Sequence, residues 1–239
     1  MVKYTLIFLL VVFYSCSSKH PRKDATAIDR NISPGENKPE FTLSSATKCE
    51  QTKLSKQFDM AIDVKRYSDE IKIWDSCGVK ILIRDKLTKV YSDSILLSSV
   101  FFAGELFANC DSMVSYTTKV NTKRQIFDNM FGDLIVADVN FDNRDDIVLV
   151  HEAGGSGGPL YKYFIQSEGA IFRADKFLTD SVAYFPDVID SSKWQLTTRA
   201  IAGACCVSEN IYQLDKSTRE WKQVGHKMLG ENSAASPAN

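Results

Sequence analysis

An all-β fold, built either as an antiparallel β-sandwich or as an incomplete propeller-like sheet, is what this chain of 239 residues predicts. Three observations predict it. Many short runs alternate apolar and polar residues, the period-two signature of a half-buried strand. Clusters of Gly, Asp, Asn and Ser part those runs at regular intervals. One such cluster, within ADVNFDNRDDIVLV, sets an acidic loop between two apolar segments, as a hairpin would. A hydrophobic content of 44% and an aromatic content of 11% can furnish the core of one good-sized domain or two small ones. The net charge of −1 offers no basic surface for nucleic acid and no charged interaction tail.

The chain opens MVKYTLIFLLVVFYSC, with one cation, Lys3, an apolar run over residues 6–14, then Ser15 and Cys16. That run is far shorter than the roughly 20 residues a membrane-spanning helix needs. Its layout over residues 1–15 is that of a cleaved secretory leader. SCSSK resembles a bacterial lipobox, although Phe13 and Tyr14 are bulkier than the usual residues there. The resemblance implies that Cys16 becomes a lipidated first residue, anchoring the chain in the cell envelope, periplasmic or outer-membrane. The alternative is an ordinary leader with an incidental cysteine. Residues 16–48 are polar and carry Pro21, Pro34, Gly35 and Pro39, the composition of a flexible tether. Lys19, Arg22 and Lys23 sit where anionic head groups are within reach.

The β-rich domain is expected over residues 49–229. FDMAIDV (58–64), IKIW (71–74) and VKILIR (79–84) alternate, with Asp75-Ser76-Cys77-Gly78 as the turn between the last two. LIVADV (134–139) and IVLV (147–150) flank the acidic loop. YKYFIQ (161–166) leads through Ser167-Glu168-Gly169 into AIFRA (170–174). WQLTTRA (194–200), NIYQLD (210–215) and EWKQVG (220–225) follow, the last two joined by Lys216-Ser217-Thr218-Arg219. Residues 86–99 and 114–129 do not declare a type, no repeat stands out, and the polar tail 230–239 is expected to be disordered. Beyond Cys16 the cysteines are Cys49, Cys77, Cys110, Cys205 and Cys206. Export permits disulfides; two are feasible, and an odd count leaves at least one thiol over. The pairing is open, except that strain argues against joining adjacent Cys205 and Cys206. No CxxC or Cys/His spacing suits zinc.

Taking Asp138 as position 1, the acidic loop offers Asn140 at 3, Asp142 at 5, the backbone carbonyl of Arg144 at 7 and Asp146 at 9. Oxygen donors at alternating positions of a tight loop are what a hard cation requires, and Ca²⁺ suits them better than Mg²⁺, which keeps more of its water. Carboxylates gathered around one point repel each other unless a cation lies between them. Asn143 occupies position 6, where the sharp turn calls for a left-handed residue, and Asn is well able to supply one. Leu149 at position 12 lacks the carboxylate of a helix–loop–helix calcium site. A structural Ca²⁺ closing a β-hairpin is therefore expected, with Asp145 facing solvent and Asp133 either assisting or exposed. The bland alternative is a solvated acidic turn, since Asp and Asn are common turn formers.

DVNFDNRDDI resembles the calcium loop of FG-GAP repeats, D-x-N-x-D-G-x-x-D-[IL], with Asn143 in place of the glycine. Those repeats normally come in arrays, and this chain has one. A wider resemblance spans residues 59–224. The hairpin IKIWDSCGVKILIRD, the acidic loop, the Gly-rich loop EAGGSGGPLYKYF, the polar hairpin IQSEGAIFRADKFL and the late IYQLDKSTREW follow one another. This order is similar to that of periplasmic lipoproteins shaped like type I lysozyme inhibitors. That family includes immunity proteins against peptidoglycan-cutting toxins delivered by type IV secretion. The resemblance implies a bound calcium and inhibition of a lysozyme-like hydrolase by plugging its cleft. In such inhibitors a Ser-Gly-x-x-Tyr loop enters the target. Here Ser156-Gly157-Gly158-Pro159-Leu160-Tyr161 places the tyrosine one residue too far. Ser156, Gly157 and Tyr161, with His151 nearby, are the candidate target-binding residues. Ser156 and the loop amides would bond the target's catalytic carboxylates. The alternative is that GGSGGP is a mobile connection and Tyr161 begins a core strand.

Other chemistry fares worse. Residues 154–158 fit the letters of the G-x-S-x-G elbow, with His151 as a base, but Pro159 and strand-like flanks replace the helix that the elbow needs. No Lys-Ser/Thr follows the glycines, as a phosphate loop requires. No carboxylate pair marks a glycosidase. His20 and His226 are expected in solvent. Cys205-Cys206 fits a buried or bridged pair member better than a redox centre. The reading is a non-enzymatic lipoprotein with Ca²⁺ as its cofactor, the membrane reached through its anchor, and a lysozyme-like hydrolase as its partner. The alternative is a cell-surface binding or scaffold module without inhibitory activity.

Overall fold

Alternating apolar residues resolve into three successive antiparallel meanders of four strands. The structure is a computed structural model and describes residues 42–68, 75–101, 106–107 and 109–230. The leader, Cys16, the tether as far as residue 41, the strand expected at 71–74 and the tail from residue 231 lie outside the described residues.

In the first meander β1 (Thr42–Gln51), β2 (Phe58–Ser68), β3 (Asp75–Asp85) and β4 (Tyr91–Phe101) pair in chain order. Met60, Ile62 and Val64 of β2, Val79, Ile81 and Ile83 of β3, and Ile95 and Leu97 of β4 are buried, while Leu96 is 72% exposed. The period of two is thus real, and each buried branched side chain contributes roughly 1.5–3 kcal/mol. Two expectations are corrected here. Asp75-Ser76-Cys77-Gly78 is not a turn but the start of β3, paired with the end of β2. β1 begins at Thr42, inside the segment assigned to the tether, because the long edge of β2 pairs it from Ser68 to Met60. A mostly exposed edge strand needs little apolar content, so its composition reads as linker.

The second meander is β6 (Leu134–Ala137), β7 (Asp146–Glu152), β8 (Leu160–Ser167) and β9 (Ile171–Ala174), with the short β5 (Val114–Ser115) parallel to β6. All of β6 and the residues from Asp146 to Val150 of β7 are buried. Both faces of this central hairpin are covered, which is why its sequence runs apolar instead of alternating. One parallel bridge, Val100 with Glu152, joins β4 to β7. The third meander is β10 (Val188–Asp190), β11 (Gln195–Ile201), β12 (Cys206–Leu214) and β13 (Trp221–Gly230). A single hydrophobic core takes Ile81, Leu149, Tyr163, Leu196 and Tyr212 from all three. Among the described residues no helix is long and apolar enough to cross a membrane.

A repeat does exist, in the turns. Asp85, Asp190 and Asp215 each begin a hairpin turn, and each Oδ1 accepts the N–H groups two and three residues ahead. A left-handed residue then closes each turn, Lys89, Trp194 and Arg219, with φ of 61°, 56° and 60°. The hydroxyls of Ser192 and Ser217 hold Asp190 and Asp215 down to about 2. One disulfide is present among the described cysteines, Cys49–Cys110, with Cα atoms 5.7 Å apart, where two had been feasible. Cys77, Cys205 and Cys206 are thiols.

Candidate functional site

The acidic loop joins β6 to β7 as a hairpin, closed by the pair Ala137 and Asp146. Its shape needs two left-handed residues, Phe141 (φ 61°) and Asn143 (φ 64°). Asn143 does what position 6 requires. Phe141 is held in that conformation by burial between Trp194 and Trp221, with ring centroids 6.0 and 6.1 Å away. Asp138 accepts the N–H groups of Asp142 (3.0 Å) and Asn143 (2.9 Å), Asn140 Oδ1 that of Asp142 (3.1 Å), and Asp142 Oδ1 that of Arg144 (2.9 Å). Asp146 Oδ2 and Oδ1 accept from Val139 N (3.0 Å) and Gln166 N (2.9 Å). The Arg144 guanidinium lies 3.3 Å from Asp142 Oδ2.

Burial pushes the Asp138 and Asp146 carboxyls above their ordinary range, Asp146 well above, against the pull of the loop amides, and the Asp142 charge pushes both further. Among the described residues no three His, Cys, Asp or Glu side chains converge as a metal cluster. The donor set nonetheless suits a hard cation. It comprises three carboxylates, the Asn140 amide oxygen and the Arg144 carbonyl, in a loop where like charges are crowded and partly desolvated.

Asp145 is corrected: it is buried rather than facing solvent. Its Oδ2 accepts from Ser55 Oγ (2.5 Å) and Lys56 N (3.2 Å), and its own N–H reaches Gln57 Oε1 (3.2 Å). From the other side Arg219 donates to Asn140 O (2.9 Å) and stacks on Trp194 at 5.0 Å. The hairpin tip therefore ties the first meander to the third. Asp133 is neither exposed nor part of this loop. It is buried, accepts from Phe107 N (2.8 Å) and from the Ser112 hydroxyl, and burial raises its pKa.

The Gly-rich loop joins β7 to β8 and is tightly held. Gly154, Gly155 and Ser156 form an exposed tip, and Gly157, Gly158 and Pro159 are buried. Gly158 N donates to Gly155 O (3.1 Å). Asn129 Nδ2 donates to Gly157 O and to Arg199 O of β11, both at 2.8 Å, clamping the loop to the third meander. Gly158 (φ 98°) lies against the backbone of Asp128, and Gly157 lies under the Tyr184 hydroxyl. Tyr161 is fully buried and stands in an aromatic cluster with Phe185 and Phe131; its hydroxyl accepts from Phe131 N (3.2 Å). Of the four expected contact residues, only Ser156 is at the exposed tip. Gly157 and Tyr161 are corrected to anchors, and GGSGGP is not a loose connection. His151 is half-buried at the end of β7, with its pKa lowered by burial and by Lys162. It lines a cavity of about 460 Å³ with Tyr67, Cys77 and Glu152. Among the described residues no hydrogen bond joins it to Ser156, and Ser156 is followed by a turn and strand, not a helix. Asn129 was missed because it lies in the stretch that declares no secondary structure; the Asp128-Asn129 pair, both left-handed, is the turn signal that locates it.

No protein-family model matches the chain, and no curated protein does. Among solved structures the chain is similar to a Xanthomonas type IV secretion system related protein, at 16% identity and a TM-score of 0.43, over 84% of this chain and 92% of that one.

Proposed function

We propose that the chain is an exported, lipid-anchored envelope protein that binds and inhibits a lysozyme-like peptidoglycan hydrolase, without catalysis of its own. The observation that carries the reading is the exposed tip Gly154-Gly155-Ser156 on a base fixed by Asn129, Gly158 and Tyr161. A loop already in its bound shape loses little entropy on docking, which is what a cleft-plugging inhibitor requires. Ser156 Oγ and the tip amides are donors for the paired carboxylates that glycosidases use. Asp138, Asn140, Asp142, Asp146 and the Arg144 carbonyl would hold a structural Ca²⁺ that fixes the central hairpin. Extracellular sites of this kind work with Kd of roughly 10⁻⁴–10⁻³ M. The test is peptidoglycan clearing by egg-white lysozyme and by a phage-type muramidase, with and without the purified protein. Saturable inhibition, weakened by a bulky Ser156→Trp change at the tip, supports the reading. Unimpaired clearing by both enzymes at micromolar protein overturns it.

A further inference from the structure

Beside the Gly-rich loop runs a second exposed element. Residues 123–128, Lys-Arg-Gln-Ile-Phe-Asp, are all exposed, with Ile126 at 44% and Phe127 at 63%. Two large apolar side chains in succession on a surface need a reason, and nothing among the described residues covers them. The stretch is not slack. Met130 N donates to Phe127 O (2.8 Å) across a tight turn whose central residues, Asp128 and Asn129, are both left-handed, with φ of 47° and 59°. Arg124 Nη1 donates to Ser112 O (2.9 Å). The same turn carries the Asn129 clamp on Gly157 and abuts Gly158. Phe127 and the Ser156 tip are therefore two projections from one hydrogen-bonded base. The stretch is cationic as well as apolar, and Lys123 has no ion-pair partner among the described residues.

We infer that residues 123–127 are a second arm of the docking surface, with Phe127 as its apolar anchor and Lys123 facing the carboxylate-lined cleft of a glycosidase. This rests on the inhibitor reading above. A cleft that keeps paired carboxylates is negative, so charge complementarity favours it as the occupant. An aromatic side chain on a rigid turn matches the residue type and placement that dominate binding energy at protein interfaces.

The test measures the purified protein against egg-white lysozyme and a phage-type muramidase by biolayer interferometry. Phe127→Ala raises Kd at least ~30-fold, the equivalent of one strong anchor. Lys123→Glu slows association and weakens its dependence on salt. Leu87→Ala, 91% exposed on the β3–β4 turn, changes neither. Thermal midpoints stay at the wild-type value, since Phe127 and Lys123 are exposed. If the wild type binds and Phe127→Ala binds equally well, the second arm is overturned and the inhibitor reading stands. If the wild type binds neither enzyme, the inhibitor reading falls and takes the arm with it. If Phe127→Ala leaves enzyme affinity unchanged but abolishes sedimentation with phosphatidylethanolamine–phosphatidylglycerol vesicles, the stretch is a membrane contact and the inference is wrong.

Discussion

Four glycines in the Gly-rich loop separate a built loop from a slack one, because the structure assigns each a different response to alanine. At Gly154 (φ 68°) a Cβ would overlap Gly158 O and come within 2.8 Å of Gly158 C. To admit it, the loop must open and lose the Gly158 N to Gly155 O bond and the Asn129 hold on Gly157 O. Left-handed alanine costs ~1–2 kcal/mol and each bond ~0.5–1.5 kcal/mol, so Gly154→Ala should cost about 3 kcal/mol. At Gly158 (φ 98°) a Cβ would strike Asp128 O and lie 2.8 Å from Asn129 Cβ, so Gly158→Ala should cost at least as much. At Gly157 the nearest atom is the Tyr184 hydroxyl, 2.6 Å away at the end of a side chain that can shift, which predicts a smaller loss. At Gly155 nothing lies within 4 Å, and Gly155→Ala should be neutral or stabilising by ~0.4–1 kcal/mol through the unfolded chain. Urea unfolding of the four variants reads all of this directly. If Gly154→Ala and Gly158→Ala fall within ~0.5 kcal/mol of Gly155→Ala, the scale of an unremarkable surface change, the loop has no fixed shape and the argument for preorganisation fails.

Three further outcomes are expected. Reduction of Cys49–Cys110, which closes a separation of 61 residues, should cost about 4 kcal/mol by chain entropy; in the native protein a thiol reagent should label Cys205 and Cys206 but not Cys77, which is 2% exposed and pushed up to about 11 by burial. Burial raises the Asp133 pKa in the folded state, so its contribution is full below the unfolded value of about 3.9 and is lost as pH rises through the folded value; the stability of wild type relative to Asp133→Asn should fall over that window, and a difference that stays flat or grows between pH 4 and 7 would refute the assignment. Millimolar Ca²⁺ should raise the thermal midpoint of the wild type and not that of Asp142→Ala, whereas Asp145→Ala should lose about 1–3 kcal/mol with or without Ca²⁺, because Ser55 and Lys56 lose their buried acceptor.

Alternation made β2 and β3 legible because one face of each is buried, whereas β4 went unread although it buries Ile95 and Leu97, since exposed Leu96 between them turns the alternation into an apolar run. The central hairpin was legible for the opposite reason: both faces are covered, so apolar residues run unbroken on either side of the acidic loop. β1 was not, since a polar edge strand and a linker share a composition. β10 and the π-helical turn Leu178–Val182 went unread because three to five residues carry no period. At the site, the tip residue Ser156 could be read from the glycines around it. Its supports could not: Asn129 lies 28 residues from Gly157 in sequence, and Tyr161 looks the same whether it faces a target or the core.

The carboxylates of residues 138–146 divide into two kinds by what they bond. Asp138 and Asp142 turn inward on the loop's own amides, Asp146 on Val139 N and on Gln166 N of β8, and burial raises the Asp138 and Asp146 carboxyls. Asp145 turns outward to Ser55 and Lys56 of the first meander, while Phe141 and the Asn140 carbonyl engage Trp194, Trp221 and Arg219 of the third. The hairpin is thus a junction that ties the first meander to the third. A cation bound there would add its binding free energy to the fold. Loss of Ca²⁺ should therefore lower stability first, and weaken binding at the Ser156 tip only to the extent that β11, which Asn129 bonds at Arg199 O, shifts with the third meander.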